Sequence, residues 1–80
     1  MKYVTVRVID SNGRPQSDVR VSLLVYQTLA SGMKTPQYTS SNGEANFDLD
    51  IDQFAEISVY VKGEERISRG SVKAEYRIIV

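Results

Sequence analysis

Three aspartates at alternate positions are the first side chains whose spacing could bind an ion. Asp48, Asp50 and Asp52 match the opening of a calcium-binding loop, where acids at every second position supply oxygen ligands. The match then fails, because Gln53 stands where such a loop needs glycine and Val59 where it needs a bidentate glutamate. On a strand the carboxylates would lie roughly 6.5–7 Å apart, too far for one ion to touch all three. The pattern indicates either a solvated strand face or a weak surface calcium site shared with a neighbouring loop.

A second candidate group consists of three tyrosines and a leucine in segments that alternate between apolar and polar residues. By parity, Tyr3, Tyr26 and Tyr60 point away from the valine faces of their strands, and Leu24 points outward too. Outward tyrosines stack on sugar rings, bind protein partners or pair between subunits. They are also common in strands with no function at all. These four residues are the predicted interaction surface, with a protein contact, a carbohydrate platform and isolated surface tyrosines all left open.

The residue types give little support to the hypothesis that the chain is an enzyme. The chain contains no histidine and no cysteine, so its serines lack the usual base that accepts a proton near neutral pH. We therefore predict no enzymatic activity, no catalytic residue, no cofactor and no dedicated metal centre. The lack of cysteine also excludes disulfides and thiolate metal sites.

The segment that says most about the fold is a turn followed by a strictly alternating strand. Asn42-Gly43 favours a turn because both residues tolerate a positive φ angle. From Glu44 to Asp52 the side chains alternate between polar and apolar, which is the period of a strand with one buried face. We expect Phe47 to anchor the core. The apolar face of this strand consists of Ala45, Phe47, Leu49 and Ile51.

The pattern of apolar residues in the rest of the chain predicts further short strands separated by turns, and it shows no sustained helical period. We predict strands at about residues 3–9, 19–26, 37–40, 44–51, 56–62, 67–69 and 72–80, a loop over 27–37 and a turn over 63–66. This spacing is typical of a β-sandwich. The predicted fold is one all-β domain over residues 1–80, a single Greek-key β-sandwich of about seven short, mainly antiparallel strands, immunoglobulin-like or prealbumin-like. A small closed barrel is the alternative.

Charge and hydropathy narrow the classes of partner. Ten basic residues balance ten acidic ones, which argues against a dedicated nucleic-acid binder, because such proteins normally carry a basic excess. No apolar run approaches the roughly 20 residues of a membrane-spanning helix. The N-terminal residues lack the apolar segment of a signal peptide. We therefore expect a cytoplasmic chain unless it is an excised domain of a secreted protein.

Two turns carry a resemblance to a known family. The segments Asp10-Ser11-Asn12-Gly13-Arg14-Pro15 and Thr39-Ser40-Ser41-Asn42-Gly43 resemble carboxypeptidase regulatory-like (transthyretin-like, prealbumin-like) domains, where Asp-x-x-Gly-x-Pro ends a first strand and Thr-x-x-x-Gly starts a later one. The pattern is also similar to invasin-type bacterial immunoglobulin-like domains. Either resemblance implies a Greek-key sandwich of about seven strands, used as a non-catalytic module in adhesion, as a spacer or as an accessory domain.

The resemblance does not imply catalysis. A transthyretin-like relative that hydrolyses a purine-derived substrate uses histidines and a Tyr-Arg-Gly-Ser ending, whereas this chain has no histidine and ends Tyr-Arg-Ile-Ile-Val. The first hypothesis is therefore a non-enzymatic interaction or structural module that acts through protein–protein contacts, including self-association into a homo-oligomer. The second is a small-ligand-binding module for a carbohydrate or for a weakly held surface calcium ion.

Overall fold

Alternating segments become strands throughout the described part of the chain. The computed structural model describes residues 2–27 and 32–80, and these form eight β-strands and no helix. The strands are β1 (Lys2–Ile9), β2 (Arg20–Tyr26), β3 (Gly32–Met33), β4 (Gln37–Tyr38), β5 (Glu44–Leu49), β6 (Glu56–Val61), β7 (Glu64–Ser71) and β8 (Glu75–Ile79). The prediction of an all-β chain is confirmed.

The strands form two sheets. Sheet A has the order β5-β1-β8, in which β1 runs antiparallel to β5 and parallel to β8. Sheet B has the order β3-β2-β6-β7, and β4 also pairs with β2. Because β6 occupies one edge of β2, the two-residue strands β3 and β4 share the other edge. The eight strands of the described residues therefore fill seven strand positions.

The core lies between the two sheets and consists of the apolar side chains that occupy alternate positions along each strand. Val4, Val6 and Val8 of β1 have no solvent exposure, and Phe47 is 4% exposed. Burying these faces is the main favourable contribution to folding. The other buried members of the cluster are Val19, Val21, Leu23, Val25, Ala45, Leu49, Ile57, Val59, Val61, Tyr76 and Ile78.

The two Ser-Asn-Gly segments build matching turns. In residues 10–14 and again in residues 40–44, the N–H of the first residue donates to the carbonyl of the last at 2.9 Å, and the glycine N–H donates to the first carbonyl at 2.9 Å. Gly13 has φ 82° and Gly43 has φ 76°, values that glycine adopts without the steric cost of a Cβ.

The second turn also packs against the residues on either side of the first turn. A Cβ built on Gly43 would lie 2.6 Å from the carbonyl oxygen of Val8 and 3.0 Å from Cβ of Pro15. The Val8 N–H donates to the Gly43 carbonyl at 2.7 Å. This close approach of backbone to backbone leaves room for glycine alone.

Thr39 fixes the segment that joins the first turn to β2. Its buried hydroxyl accepts a hydrogen bond from the Val19 N–H at 2.9 Å and donates one to the Gln16 carbonyl at 2.6 Å. The threonine and the glycine of the Thr-x-x-x-Gly segment thus have structural roles.

The turn predicted over residues 63–66 is wrong. The β6–β7 connection is the two-residue turn Lys62-Gly63, with φ angles of 56° and 82°, as in the type I′ turns that suit the twist of a hairpin. Glu64 onward already belongs to β7, which has eight residues rather than the brief edge strand predicted at 67–69. Two register shifts between β6 and β7 break the alternation that would have revealed this strand.

Further boundaries differ from the sequence prediction, including the strand predicted at 37–40, which occupies only Gln37–Tyr38. Gly32–Met33 form a strand inside the predicted loop 27–37, whose residues 28–31 lie outside the described part of the chain. The strand predicted at 44–51 ends at Leu49. The final strand occupies Glu75–Ile79 rather than 72–80.

Tyr76 anchors the connection that carries the chain from sheet B to sheet A. Its hydroxyl donates to the Ser71 carbonyl at 3.2 Å and accepts from the Lys73 N–H at 3.0 Å. A buried tyrosine hydroxyl needs such partners, because an unpaired polar group in a core is costly. The side chain therefore packs its ring in the core and ties down the connection.

Candidate interaction surface

The outer face of sheet B gathers three of the four predicted site residues. The β2–β6 register places Ser22 opposite Tyr60, Leu24 opposite Ser58 and Tyr26 opposite Glu56. Residues that face each other across two strands share one side of the sheet, and the alternate pairs fill the core. Leu24, Tyr26 and Tyr60 therefore lie together on the solvent side of sheet B, where each is half-buried.

The fourth predicted residue, Tyr3, lies elsewhere. It belongs to β1 of sheet A, pairs in register with Asp48 and is 62% exposed. The outer face of sheet A is charged and polar: Arg7 forms an ion pair with Glu44, and the Thr5 hydroxyl donates to Asn46 Oδ1 at 2.8 Å. Parity predicted correctly that Tyr3 points outward, but it lies on the opposite side of the sandwich from Tyr26 and Tyr60.

Sequence reasoning missed two large side chains on the outer face of sheet B. Met33 pairs with Leu24, and Tyr38 pairs with Arg20, so both stand on this side of the sheet. They are 54% and 62% exposed. Their strands have only two residues each, which is too short for an alternating pattern to be seen.

Arg69 of β7 completes this surface. Its guanidinium carbon lies 4.3 Å from the centroid of the Tyr26 ring, and its Nε donates to Glu56 Oε1 at 2.8 Å. The Tyr26 hydroxyl is 3.1 Å from the hydroxyl oxygen of Ser58, which itself is fully buried. Tyr26 is thus held at both the ring and the hydroxyl. The term "tyrosine face" is used below for Leu24, Tyr26, Met33, Tyr38, Tyr60 and Arg69.

Tyr60 stays a neutral phenol at physiological pH. Burial raises the pKa of Tyr60, and electrostatic repulsion from Glu65 and from Tyr26 raises it further. Because the side chain is only half-buried, desolvation here is partial rather than complete. A protonated hydroxyl donates a hydrogen bond and accepts others, so this group is suited to binding a polar partner atom and unsuited to acting as a base.

The aspartate row does not form one cluster. Asp48 lies on the outer face of β5, whereas Asp50 and Asp52 follow the end of that strand. Asp52 Oδ1 accepts a hydrogen bond from the Phe54 N–H at 2.8 Å, so it shapes the local turn. Within residues 2–27 and 32–80, no three acidic side chains come together in a way that could hold a metal ion.

Comparison with known proteins does not identify a family or a function for the chain. No protein-family model, no curated protein and no solved structure matches the chain. In the part of the chain that the structure describes, no helix is long and apolar enough to cross a membrane.

Proposed function

We propose that this chain is a non-enzymatic β-sandwich module that binds protein through the tyrosine face, with a second copy of the chain as its first partner. The observation that carries the proposal is the convergence of Leu24, Tyr26 and Tyr60 with Met33 and Tyr38 on one side of sheet B. Protein interfaces are enriched in tyrosine, methionine and arginine at their centres and depleted in lysine and acidic residues. The outer face of sheet A carries fewer large apolar and aromatic side chains, although each of the two faces includes an ion pair.

The tyrosine face is also partly organised before any partner binds. Tyr26 is fixed by Ser58 and by Arg69, and Arg69 is fixed in turn by Glu56. Side chains that are already ordered lose less conformational entropy on association, so more of the contact energy remains as affinity.

The alternative of a small-ligand-binding module has less support. A sugar ring would stack on a free aromatic face, and the guanidinium of Arg69 covers one face of Tyr26. A calcium ion would need several oxygen ligands around it, and the aspartate row is divided between β5 and the following turn. Both observations favour a protein partner over a carbohydrate or an ion.

We further propose that the fold is the transthyretin-like form of a Greek-key sandwich. If the strand positions are lettered in chain order, with β3 and β4 together as C, the sheets read D-A-G and C-B-E-F. Immunoglobulin constant domains arrange their strands as A-B-E-D and C-F-G. The parallel β1–β8 pair, with Thr5 beside Glu75, is the feature to test by nuclear Overhauser contacts between backbone protons of these strands.

Labelled single-cysteine variants can test the binding surface, because the native chain has no cysteine. Chain that carries a nitroxide at Met33→Cys, on the tyrosine face, is mixed with isotope-enriched chain that carries no nitroxide. We expect the label to broaden the amide signals of Leu24, Tyr26 and Tyr60 in the other molecule. The control is Tyr3→Cys on sheet A. Equal broadening from both labels, or none from Met33→Cys, would contradict the proposal.

A further inference from the structure

Strand β8 has one free edge. Among the described residues it pairs only with β1, through hydrogen bonds in which the Val80 N–H donates to the Ile9 carbonyl and the Thr5 N–H donates to the Ala74 carbonyl, both at 2.9 Å. Because the backbone groups of successive strand residues point in opposite directions, even-numbered residues face β1 and odd-numbered residues face away. Within the described residues, the backbone groups of Glu75 and Arg77 therefore face outward with no strand beside them.

The other sheet edges are protected. Strand β7 carries two irregularities in its pairing with β6, and bulges and charged side chains discourage edge-to-edge association. Strands β3 and β4 have two residues each. On β5 the outward side chains are Glu44, Asn46 and Asp48. Antiparallel pairing of this strand with β5 of a second copy would therefore place acidic side chains opposite acidic side chains. Strand β8 carries both signs of charge on its outward side.

We propose that β8 pairs antiparallel with β8 of a second copy, about a two-fold axis at Tyr76. In this register Glu75 stands opposite Arg77 of the second copy, and the symmetry repeats the pair. The outward backbone groups of these residues then form two hydrogen bonds for each facing pair. Oppositely charged side chains directly across an antiparallel pair are stabilising, and like charges there are destabilising. A two-fold axis makes the contact self-complementary and closed.

The neighbouring registers are disfavoured. An axis at Arg77 would set the two Arg77 side chains against each other. An axis at Ile78 would use the backbone of Ile79, whose carbonyl already accepts a hydrogen bond from Arg66 Nη1 at 3.3 Å. The register centred on Tyr76 uses the part of β8 that Arg66 leaves free.

Sheet B leaves room beside this edge. A cavity of about 370 Å³ lies between β7 and β8, lined by Ile57, Ile67 and Tyr76 with Lys73 at one side. This cavity leaves open space between β7 and β8 next to Tyr76.

Charge reversal tests this contact, which uses a different surface from the tyrosine face. The mass of each β8 variant is measured by sedimentation equilibrium in the Tyr60→Lys background, which removes the association expected of the tyrosine face. We expect Glu75→Arg or Arg77→Glu to weaken this association roughly tenfold or more, because each replaces two attractive cross-strand pairs by two repulsive ones. The double variant Glu75→Arg/Arg77→Glu restores opposite charges and should restore association. Circular dichroism checks that each variant is folded.

A second measurement locates the axis directly. In a mixture of ¹³C-labelled and unlabelled chains, the α-protons of Tyr76 in the two copies should show an intermolecular Overhauser effect, since this is the close, non-hydrogen-bonded pair. In the Tyr60→Lys background, association that survives the single reversals, or a double variant that stays monomeric, would overturn the inference. Association lost in Tyr60→Lys but unchanged in Glu75→Arg would assign it to the tyrosine face instead, so the two proposals can fail separately.

Discussion

Arg69 lies over the ring of Tyr26, with its guanidinium carbon 4.3 Å from the ring centroid. This contact joins an edge strand, β7, to the central strand β2 across the outer surface of β6. It covers one face of the ring and leaves the Tyr26 hydroxyl beside Ser58. The contact therefore determines how the tyrosine face is presented to a partner.

The Arg69–Tyr26 contact should contribute measurably to stability. We expect Arg69→Ala to lower the free energy of unfolding by about 1 kcal/mol, since a cation–π contact at an exposed site is worth about 0.5–1 kcal/mol and an exposed ion pair somewhat less. Urea denaturation measures this change. Glu56→Gln is the control, because it removes the ion pair to Arg69 and keeps the stacking. Equal losses in the two variants would show that the stacking contributes nothing.

Tyr60 should make the fold sensitive to alkali. Its pKa is raised from the ordinary value of 10.0 by burial, by Glu65 and by Tyr26. The folded chain thus holds the phenol proton more tightly than the unfolded chain does. Stability from this group is complete below pH 10, the unfolded value, and falls as the pH rises through the higher folded pKa.

An absorbance titration of tyrosinate, combined with unfolding at several alkaline pH values, measures this effect. We expect Tyr60→Phe to show a shallower loss of stability above pH 10 than the wild type. Identical alkaline profiles for wild type and Tyr60→Phe would contradict the shift.

Phe47 should be far more costly to truncate than Phe54. It is 4% exposed in the core, whereas Phe54, in the turn after β5, is 82% exposed. We expect Phe47→Ala to lower the free energy of unfolding by about 3–5 kcal/mol, and Phe54→Ala to change it by less than about 0.5 kcal/mol. Thermal or chemical denaturation compares the two. A loss below about 1 kcal/mol for Phe47→Ala would mean that the inner face of β5 is misplaced.

The two matching turns allow a clean comparison of glycines. In Gly13→Ala the added Cβ has no atom within 4 Å, so the only cost is the strain of a positive φ angle. In Gly43→Ala the added Cβ also lies 2.6 Å from the Val8 carbonyl oxygen. We expect a loss of about 1–2 kcal/mol for Gly13→Ala and a clearly larger loss for Gly43→Ala. Similar losses, measured by urea denaturation, would show that Gly43 does not pack tightly against Val8 and Pro15.

The sequence predicts the long strands well because each has one buried face. Alternation from Ala45 to Leu49 and from Val4 to Val8 reports burial directly, since side chains on a strand point alternately to its two sides. Alternation says which residues face outward and nothing about which sheet they belong to. For this reason alternation alone groups Tyr3 with Tyr26 and Tyr60, although β1 and β2 lie in different sheets.

The parts that the sequence did not predict lack that periodic signal. Strand β7 has charged residues on an exposed edge and shifts register twice against β6, so no apolar alternation runs along it. Met33 and Tyr38 lie in strands of two residues, and only their pairing with β2 brings them to the tyrosine face. Long-range pairing of this kind is decided by the whole fold rather than by the local sequence.

The most direct test of the central proposal is the solution mass by light scattering behind a sizing column, measured over a range of protein concentrations. The background chain carries Glu75→Arg, so that β8 pairing does not contribute. It is compared with the same chain carrying in addition Tyr60→Lys on the tyrosine face or Tyr3→Lys on the opposite face. We expect a mass that rises with concentration in the background chain and with Tyr3→Lys, and a constant monomer mass with Tyr60→Lys. A background chain that is monomeric throughout, or an association that Tyr60→Lys leaves unchanged, would contradict the assignment of the tyrosine face as the binding surface.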